Sequence, residues 1–311
     1  MDLVSFKKGL KSTLKSEDTE GFFEIYVTRS SGYLWALFFK KLGVHPNVVT
    51  IISIILGMLA GYMFYFDDLR HALLGIFLLI WANWYDCADG QLARMTGKKS
   101  LLGRVLDGFA GDLWFFSIYF FICLRLTDTW GIYIWLLAAF SGFICHSKQC
   151  ALADYYRNIH MFFQKGNINS EFDKSSVQVK KMKSLSWKSD WFEKLYLFFY
   201  IKYTKSQESL SPSLQKLLRG VESKWLEKGE DIPSDFRDEY RRNSKPLMKY
   251  TNILTFDTRA FVLFISVLVK EPWFFFVFEV TVLNILFFYM RYRHESFCKK
   301  MYKDYHLDVN I

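Results

Sequence analysis

The chain alternates between long apolar stretches and polar, strongly charged segments. Residues 46–66 contain no charge and are long enough to cross the hydrocarbon of a bilayer as a helix, which takes about 20 residues. Five more apolar stretches follow, at 71–93, 103–126, 130–152, 252–270 and 272–292. Pro272 marks the turn between the last two. The pattern therefore predicts an all-α integral membrane protein with about six transmembrane helices.

Two segments outside these spans have their own pattern. Residues 20–43 are amphipathic and aromatic with charges at both ends, and we expect a helix lying in the membrane interface. Residues 155–250 are rich in Lys, Ser, Asp and Glu, which predicts a cytosolic helical insert between spans four and five. Within it, 191–203 is apolar but too short to span, so this piece either rests on the membrane surface or forms the core of the insert. Ser211-Pro212 predicts the start of a soluble helix.

These elements divide the chain into five parts. They are an N-terminal cytosolic or interfacial segment (1–45), the first four transmembrane helices (46–154), the insert (155–250), the last two transmembrane helices (251–292) and a cytosolic tail (293–311). Hydrophobic residues make up 51% of the chain and charged residues 23%, and their segregation is typical of a membrane protein with a polar part. The first 20 residues contain no apolar core, so we expect no signal peptide.

The distribution of positive charge orients the spans. The predicted outer loops contain only Arg70, Arg125 and Lys270 of the 40 Lys and Arg residues. Because positive residues are retained on the cytoplasmic side, we expect both termini and the 94–104 turn there, as in a multi-pass protein of a bacterial inner membrane. The net charge of +9 follows from this topology and from attraction to membrane lipid. We expect no nucleic-acid binding, since the basic residues form no recognisable nucleic-acid motif.

Carboxylates concentrate at the inner end of spans two and three. Asp86 and Asp89 are three residues apart and share one helix face, while Asp107 and Asp112 lie early in the next span. Ionised carboxylates at a membrane are costly unless partnered, and Arg94 is the one obvious base beside these four. Oxygen ligands without His or Cys favour Mg²⁺ or Mn²⁺, and a two-metal site suits displacement at phosphorus. A water-lined cavity or a proton path would use the same acids.

A longer pattern runs through this segment: Asp86-x2-Asp89-Gly90-x2-Ala93-Arg94-x8-Gly103-x3-Asp107. Its seven identities over 22 positions resemble the signature of the CDP-alcohol phosphotransferase (CDP-alcohol phosphatidyltransferase) family. The run from Gly43 to Thr50 resembles the start of that family's first span, and the six-span plan also agrees. The resemblance covers roughly residues 25–155 and leaves the insert unexplained.

The resemblance implies a reaction and a set of residue roles. An acceptor hydroxyl would attack the phosphorus distal to the cytidine of a CDP-linked donor, and CMP would leave. The implied metal ligands are Asp86, Asp89, Asp107 and Asp112, of which Asp107 and Asp112 are also the catalytic candidates. The implied nucleotide and donor contacts are Gly90, Ala93, Arg94 and Gly103. A homodimer is expected from the resemblance alone.

The fourth aspartate departs from the family pattern. That pattern places it four residues after the third, where this chain has Gly111, and the acid follows at Asp112. A five-residue step along a regular helix turns about 140°, so Asp112 would point away from Asp107. A one-residue π-bulge near Gly108 and Gly111 would restore the alignment. We expect Asp112 to be the functional fourth acid, and the alternative is a structural polar residue.

The acceptor is less well defined by the sequence. We expect CDP-diacylglycerol as donor and a polar alcohol or its phosphate as acceptor, with inositol phosphate favoured because cations lie near the inner ends of the spans. The candidate acceptor contacts are Arg104, Arg259 and Lys148. Arg259 lies beside Asp257, so a structural ion pair competes for it. Glu279, within the sixth span, is either functional or a hydrogen-bonded helix contact.

Three other functions remain open. The first keeps the fold but uses CDP-choline or CDP-ethanolamine with a lipid alcohol. The second is an intramembrane prenyltransferase, which also uses Asp-rich magnesium sites. The third is a membrane scaffold whose metal site has decayed, with Gly111 as the lesion.

Overall fold

A computed structural model describes residues 9–10, 12–13, 16, 18–21, 24–98, 100–165 and 173–307. No β-strand occurs in these ranges, which confirms the all-α prediction. The remaining residues of the predicted N-terminal segment, insert and C-terminal tail lie outside the described ranges, and so does Lys99 in the predicted 94–104 turn.

Fourteen α-helices are described along the chain. The first seven are α1 Ser30–Lys41, α2 Pro46–Met63, α3 Leu69–Thr96, α4 Leu101–Trp130, α5 Ile132–Ala139, α6 Ser147–Lys165 and α7 Ser175–Ser184. The others are α8 Trp191–Ser209, α9 Pro212–Lys224, α10 Ser234–Ser244, α11 Met248–Ile253, α12 Phe256–Leu268, α13 Trp273–Phe278 and α14 Asn284–Asp304. The π-helical turns are Glu24–Arg29, Phe140–His146 and Glu279–Leu283, and the 3₁₀ turns are Leu226–Lys228 and Lys245–Leu247.

The chain forms two compact units. The first contains Met1–Cys145 and Arg259–Val280, and the second contains His146–Thr258 and Thr281–Ile311. All four candidate aspartates lie in the first unit, together with Arg104 and Arg259. Lys148 lies in the second unit.

Helix α2 is the centre of the first unit, where it packs against both α3 and α4. Gly57 and Gly61 form its contact with α4. A Cβ added to Gly57 would overlap the indole ring of Trp114, and one added to Gly61 would lie 2.7 Å from the backbone nitrogen of Ile118. Small residues four positions apart allow two membrane helices to approach this closely, because no side chain separates the backbones.

Helix α1 packs along α3. Ala36 and Phe39 are buried against Ala88 and Leu92 of α3, whereas Phe38 on the other side is exposed. The amphipathic helix predicted over residues 20–43 is therefore present as α1 with the preceding π-helical turn. Its location in the membrane interface stays a prediction.

The C-terminal end of α3 and the N-terminal end of α4 are both capped. Helix α3 ends at Gly97, whose φ of 68° is the left-handed conformation that glycine adopts readily. Helix α4 begins after Ser100, whose hydroxyl accepts a hydrogen bond from the backbone nitrogen of Gly103 at 2.9 Å. The connection is four residues long and both helices pack against α2, so the last turns of α3 and the first turns of α4 lie at the same end of α2.

Four helical stretches among the described residues are long and apolar enough to cross a membrane: Pro46–Met63, Leu101–Trp130, Ser234–Leu268 and Trp273–Asp304. They contain the predicted first, third, fifth and sixth spans. The predicted second span is α3, one continuous helix whose last third is polar. The predicted fourth span is divided into α5, a π-helical turn and the start of α6. The count of six stays a prediction.

The second unit is built around α6, which packs against α8, α10 and α11, and around α14, which packs against α9. The helix predicted after Ser211-Pro212 is α9, confirmed at Pro212–Lys224. The apolar piece 191–203 lies within α8, where Leu197 and Ile201 are buried.

Candidate functional site

Three carboxylates meet where α3 ends and α4 begins. Asp86 and Asp89 belong to α3 and Asp107 to α4, and one carboxylate oxygen from each lies within 4.8 Å of the other two. Asp89 is buried, Asp86 is half-buried and Asp107 is exposed, so the acidic cluster (Asp86, Asp89 and Asp107) opens on the side of Asp107. Three like charges at this separation repel one another, and a bound cation would offset that repulsion.

The donor set of the acidic cluster fits a hard divalent cation. All three groups offer carboxylate oxygens, which Mg²⁺ and Mn²⁺ prefer over nitrogen or sulfur. The Oδ2 atom of Asp89 is buried and makes no hydrogen bond to any described residue, so it is available as a ligand. Cys87, the one soft ligand in this turn, lies against Gly32 of α1 instead.

Thr50 of α2 supports Asp89 from the side. The residue is 2% exposed, and its single hydroxyl hydrogen can be donated either to the carbonyl oxygen of Pro46, 3.2 Å away, or to the Asp89 carboxylate. Sequence reasoning missed this residue. Its position could have identified it, because Thr50 is a polar side chain in the first turns of an otherwise apolar span.

Asn47 and Ser100 join the start of α2 to the start of α4. The Ser100 hydroxyl donates to Asn47 Oδ1 at 3.2 Å, and a Cβ on Gly103 would lie 2.6 Å from the same oxygen. A side chain at Gly103 would therefore displace the Asn47 side chain and its hydrogen bond with Ser100. The contact of Gly103 with the donor, expected from the signature, stays a prediction.

Arg94 lies in the last turn of α3, where a cation also interacts favourably with the helix dipole. A Cβ on Gly90 would lie 3.4 Å from Arg94 Nη1, so Gly90 leaves space beside the guanidinium. Ala93, between them in sequence, is half-buried. The donor-binding roles of these three residues stay predictions.

A buried side-chain amide connects α3 to the π-helical turn that precedes α1. Gln91, fully buried, donates to the backbone carbonyl of Arg29 at 3.0 Å. Arg29 in turn pairs with Glu24 at 3.0 Å and Glu20 at 3.7 Å. Neither Gln91 nor Arg29 was identified from the sequence, because their contact joins positions 62 residues apart.

Asp112 lies outside the acidic cluster. Helix α4 is regular from Leu101 to Trp130, so the hypothesis of a π-bulge between Asp107 and Asp112 is wrong. Glycines at 108 and 111 permit a bulge, but they also fit a regular helix on an open face, and a Cβ at either would meet nothing within 4 Å. Without the bulge, Asp112 is turned about 140° from Asp107. Its role in catalysis or metal binding stays a prediction.

The three candidate acceptor cations are in different surroundings. Arg104 is exposed and three residues before Asp107, so both lie on one face of α4. Lys148 is exposed in the second unit. Arg259 is fully buried and forms an ion pair with Glu279. The ion pair of Arg259 is thus formed with Glu279, a partner that was not expected from the sequence. The acceptor role of all three cations stays a prediction.

Residues 43–157 match the sequence profile described as CDP-alcohol phosphatidyltransferase. This part of the chain, 115 of the 311 residues, is similar to that family. The matched segment starts at Gly43 and contains the acidic cluster, which confirms the resemblance. Together with the four apolar stretches, it identifies an integral membrane protein. The matched segment does not include α1, although we expected the resemblance to begin near residue 25.

One curated relative agrees with this assignment. The chain is 40% identical over 92 residues to an archaetidylinositol phosphate synthase of Pyrococcus horikoshii. The aligned part is 30% of this chain and 47% of the relative, so the chain spans about half the length of the curated protein that it matches.

Proposed function

We propose that this chain is a CDP-alcohol phosphatidyltransferase of phospholipid biosynthesis. It transfers a phosphatidyl-type group from a CDP-linked lipid, CDP-diacylglycerol being favoured, to a polar alcohol or alcohol phosphate. The observation that carries the proposal is the acidic cluster, formed by the same aspartates that the family signature specifies.

Asp86, Asp89 and Asp107 would hold Mg²⁺ or Mn²⁺, two ions being expected from the resemblance. When bound, the metal offsets the negative charge of a pyrophosphate and polarises the phosphorus under attack. The protein contributes by fixing its ligands: Thr50 orients Asp89, and the contact between Asn47 and Ser100 holds the first turn of α4 against α2.

The transfer forms one bond and breaks one. The acceptor hydroxyl oxygen bonds to the phosphorus distal to the cytidine, and the bond from that phosphorus to the bridging oxygen breaks. The bridging oxygen leaves with CMP, and the hydroxyl proton passes to a carboxylate. Asp107 and Asp112 are the proposed proton acceptors. Arg94 is the proposed contact to the donor phosphates, with Gly90, Ala93 and Gly103 beside the nucleotide.

An inositol phosphate is the favoured acceptor. Two observations support it: the name of the Pyrococcus relative includes an inositol phosphate lipid, and Arg104 shares a helix face with Asp107. A phosphate on the acceptor would pair with the Arg104 guanidinium. Lys148 is a second proposed contact. Arg259 is less favoured because its guanidinium already pairs with Glu279.

The proposal is tested with purified protein in nanodiscs containing Mg²⁺. CDP-diacylglycerol is offered with inositol phosphate, inositol or glycerol phosphate, and CMP and the lipid product are measured. CDP-choline with diacylglycerol is the matched control. We expect CMP with the first donor and the inositol phosphate acceptor. CMP from CDP-choline alone would favour the alternative chemistry, and folded protein without turnover on either donor would favour the scaffold.

The orientation and assembly are also proposals. We propose that both termini and the acidic cluster face the cytoplasm, since the Lys and Arg residues are concentrated on that side of the predicted spans. Protease accessibility of the termini in sealed membranes tests this. A homodimer is proposed from the family resemblance alone, and light scattering in detergent tests it.

A further inference from the structure

Helix α8 in the second unit has a second apolar face that points outward. Trp191, Phe198 and Phe199 are 58%, 43% and 52% exposed, and Leu195 between them is also exposed. We propose that this exposed face of α8, together with the lysines of α7 and α8, lies on the surface of an anionic lipid bilayer.

The exposed apolar residues form one continuous strip. At 100° per residue, Trp191, Leu195, Phe198 and Phe199 fall within a sector of about 100°. Leu197 and Ile201, which are buried, lie on the other side of the helix. Trp187, just before the helix, is 63% exposed and extends the strip at its N-terminal end. A strip of this width is the usual apolar face of a helix that lies in a membrane interface.

The charges around the strip are positive. Residues 174–210 contain eight lysines and three acidic residues. Burial separates the two signs of charge: Asp190, Glu193 and Glu208 are half-buried, whereas Lys188, Lys202 and Lys205 are exposed. The exposed charges beside the strip are lysines, which attract anionic headgroups.

Two lysines lie over aromatic rings at the exposed face of α8. The ammonium of Lys202 lies 4.2 Å from the ring centroid of Phe198, and that of Lys194 lies 5.0 Å from the ring centroid of Trp187. Both are cation–π contacts, which keep a lysine charge beside an aromatic ring, and the Lys194 ammonium also donates to the carbonyl oxygen of Leu185 at 2.8 Å. Trp is also enriched at membrane–water interfaces.

A bilayer is close to α8 along the chain. Gln207 of α8 donates to the backbone carbonyl of Ala151 in α6 at 2.9 Å. Ala151 lies at the end of the predicted fourth span, 130–152. Phe199 precedes Gln207 by eight residues, or about 12 Å of helix, so it is the C-terminal end of α8 that lies beside a predicted membrane boundary. This proximity and the positive charge favour a lipid surface over a protein partner.

The test uses full-length protein with the photoreactive amino acid benzoylphenylalanine at Phe199, reconstituted in nanodiscs. The matched control carries the same group at Glu230, which is exposed in an acidic loop. Nanodiscs of phosphatidylcholine alone and with phosphatidylglycerol are irradiated, and adducts are identified by mass spectrometry. We expect several-fold more lipid adduct at position 199 than at position 230, and a further increase when phosphatidylglycerol is present.

A charge variant separates the two contributions. Replacing Lys188, Lys202 and Lys205 by Gln leaves the apolar strip intact, and we expect it to abolish the increase caused by phosphatidylglycerol. An adduct between two copies of the chain would overturn the proposal in favour of a dimer contact. Equal lipid labelling at positions 199 and 230, in protein that elutes as a folded species, would overturn it as well.

Discussion

The first unit contains two groups of charged side chains whose carboxylates are stabilised differently. Glu279, fully buried, accepts hydrogen bonds from the Arg259 guanidinium, the Tyr119 hydroxyl and the Ser141 hydroxyl, the last at 2.6 Å. In the acidic cluster, three carboxylates lie within 4.8 Å of one another, and one buried oxygen of Asp89 has no hydrogen-bond donor. Glu279 therefore accepts from three side chains, whereas each carboxylate of the acidic cluster has oxygens of two other carboxylates within 4.8 Å.

We expect this difference to separate an acid with a structural role from acids that bind a metal. A buried carboxylate with a cation and two hydroxyl donors has its desolvation cost offset within the protein, and it links the segments that supply those donors. Three crowded carboxylates have no such compensation from one another, so their arrangement is stable when a cation is present. Both groups contain acids near membrane spans, and the partners rather than the acids decide the role.

The largest expected effect is on folding, at Glu279. We expect Glu279→Gln to destabilise the protein by about 3–5 kcal/mol, because it leaves the Arg259 guanidinium buried without its counter-charge. Thermal unfolding in detergent measures this, and Mg²⁺ should not restore the loss. The matched control is Glu279→Leu combined with Arg259→Met, which removes both charges and should unfold close to the wild-type temperature. A wild-type unfolding temperature for Glu279→Gln would show that the ion pair is not structural.

We expect Asp89→Asn to reduce the rate of CMP release without reducing the stability of the fold. We expect the rate of CMP release to fall at least about 100-fold, since a metal ligand is lost. Without metal the variant should unfold no earlier than the wild type, because one of three repelling charges is gone. Mg²⁺ should raise the unfolding temperature of the wild type and not that of the variant. Equal stabilisation of both proteins by Mg²⁺ would remove Asp89 from the site.

Asp107 and Asp112 allow a carboxylate inside the acidic cluster to be compared with one outside it on the same helix, α4. We expect Asp107→Asn to reduce CMP release by about 100-fold and Asp112→Asn by about tenfold, because only Asp107 belongs to the acidic cluster. Steady-state kinetics with CDP-diacylglycerol measures both. If neither substitution lowers the rate tenfold, the assignment of the catalytic carboxylates is wrong.

The smallest expected effect is at Thr50. Thr50→Val keeps the shape of the side chain and removes the hydroxyl that supports Asp89. We expect about a tenfold weaker apparent affinity for Mg²⁺, the lower end of what outer hydrogen-bond partners of metal ligands contribute. The Mg²⁺ dependence of CMP release measures this. Thr50→Ser retains the hydroxyl and should behave like the wild type, and an equal loss in both variants would point to packing instead.

The sequence was sufficient for the part of the site that is local in the chain. Asp86 and Asp89 share a helix face by spacing alone, and the short turn before α4 brings Asp107 to them. Thr50 could not be found this way, because its contact with Asp89 depends on how α2 packs against α3. Glu279 was left between two interpretations for the same reason, since its hydroxyl donors come from α4 and from a π-helical turn.

The π-bulge considered near Gly111 is absent, because glycine permits an irregular turn without requiring one. π-Helical turns occur elsewhere among the described residues, at Glu24–Arg29, Phe140–His146 and Glu279–Leu283. Ser141 and Glu279, in two of these turns, share a buried hydrogen bond that the sequence does not reveal.

The length of α4 has a consequence for how two unlike substrates reach one carboxylate. Thirty residues extend about 45 Å, some 15 Å more than the hydrocarbon layer. If the surplus emerges at the end that carries Asp107, that residue stands about 10 Å from the tip, among the headgroups. A water-soluble alcohol could then reach Asp107 from the aqueous side, while the acyl chains of the proposed donor remain in the hydrocarbon layer. Neither substrate would have to leave its own solvent to react.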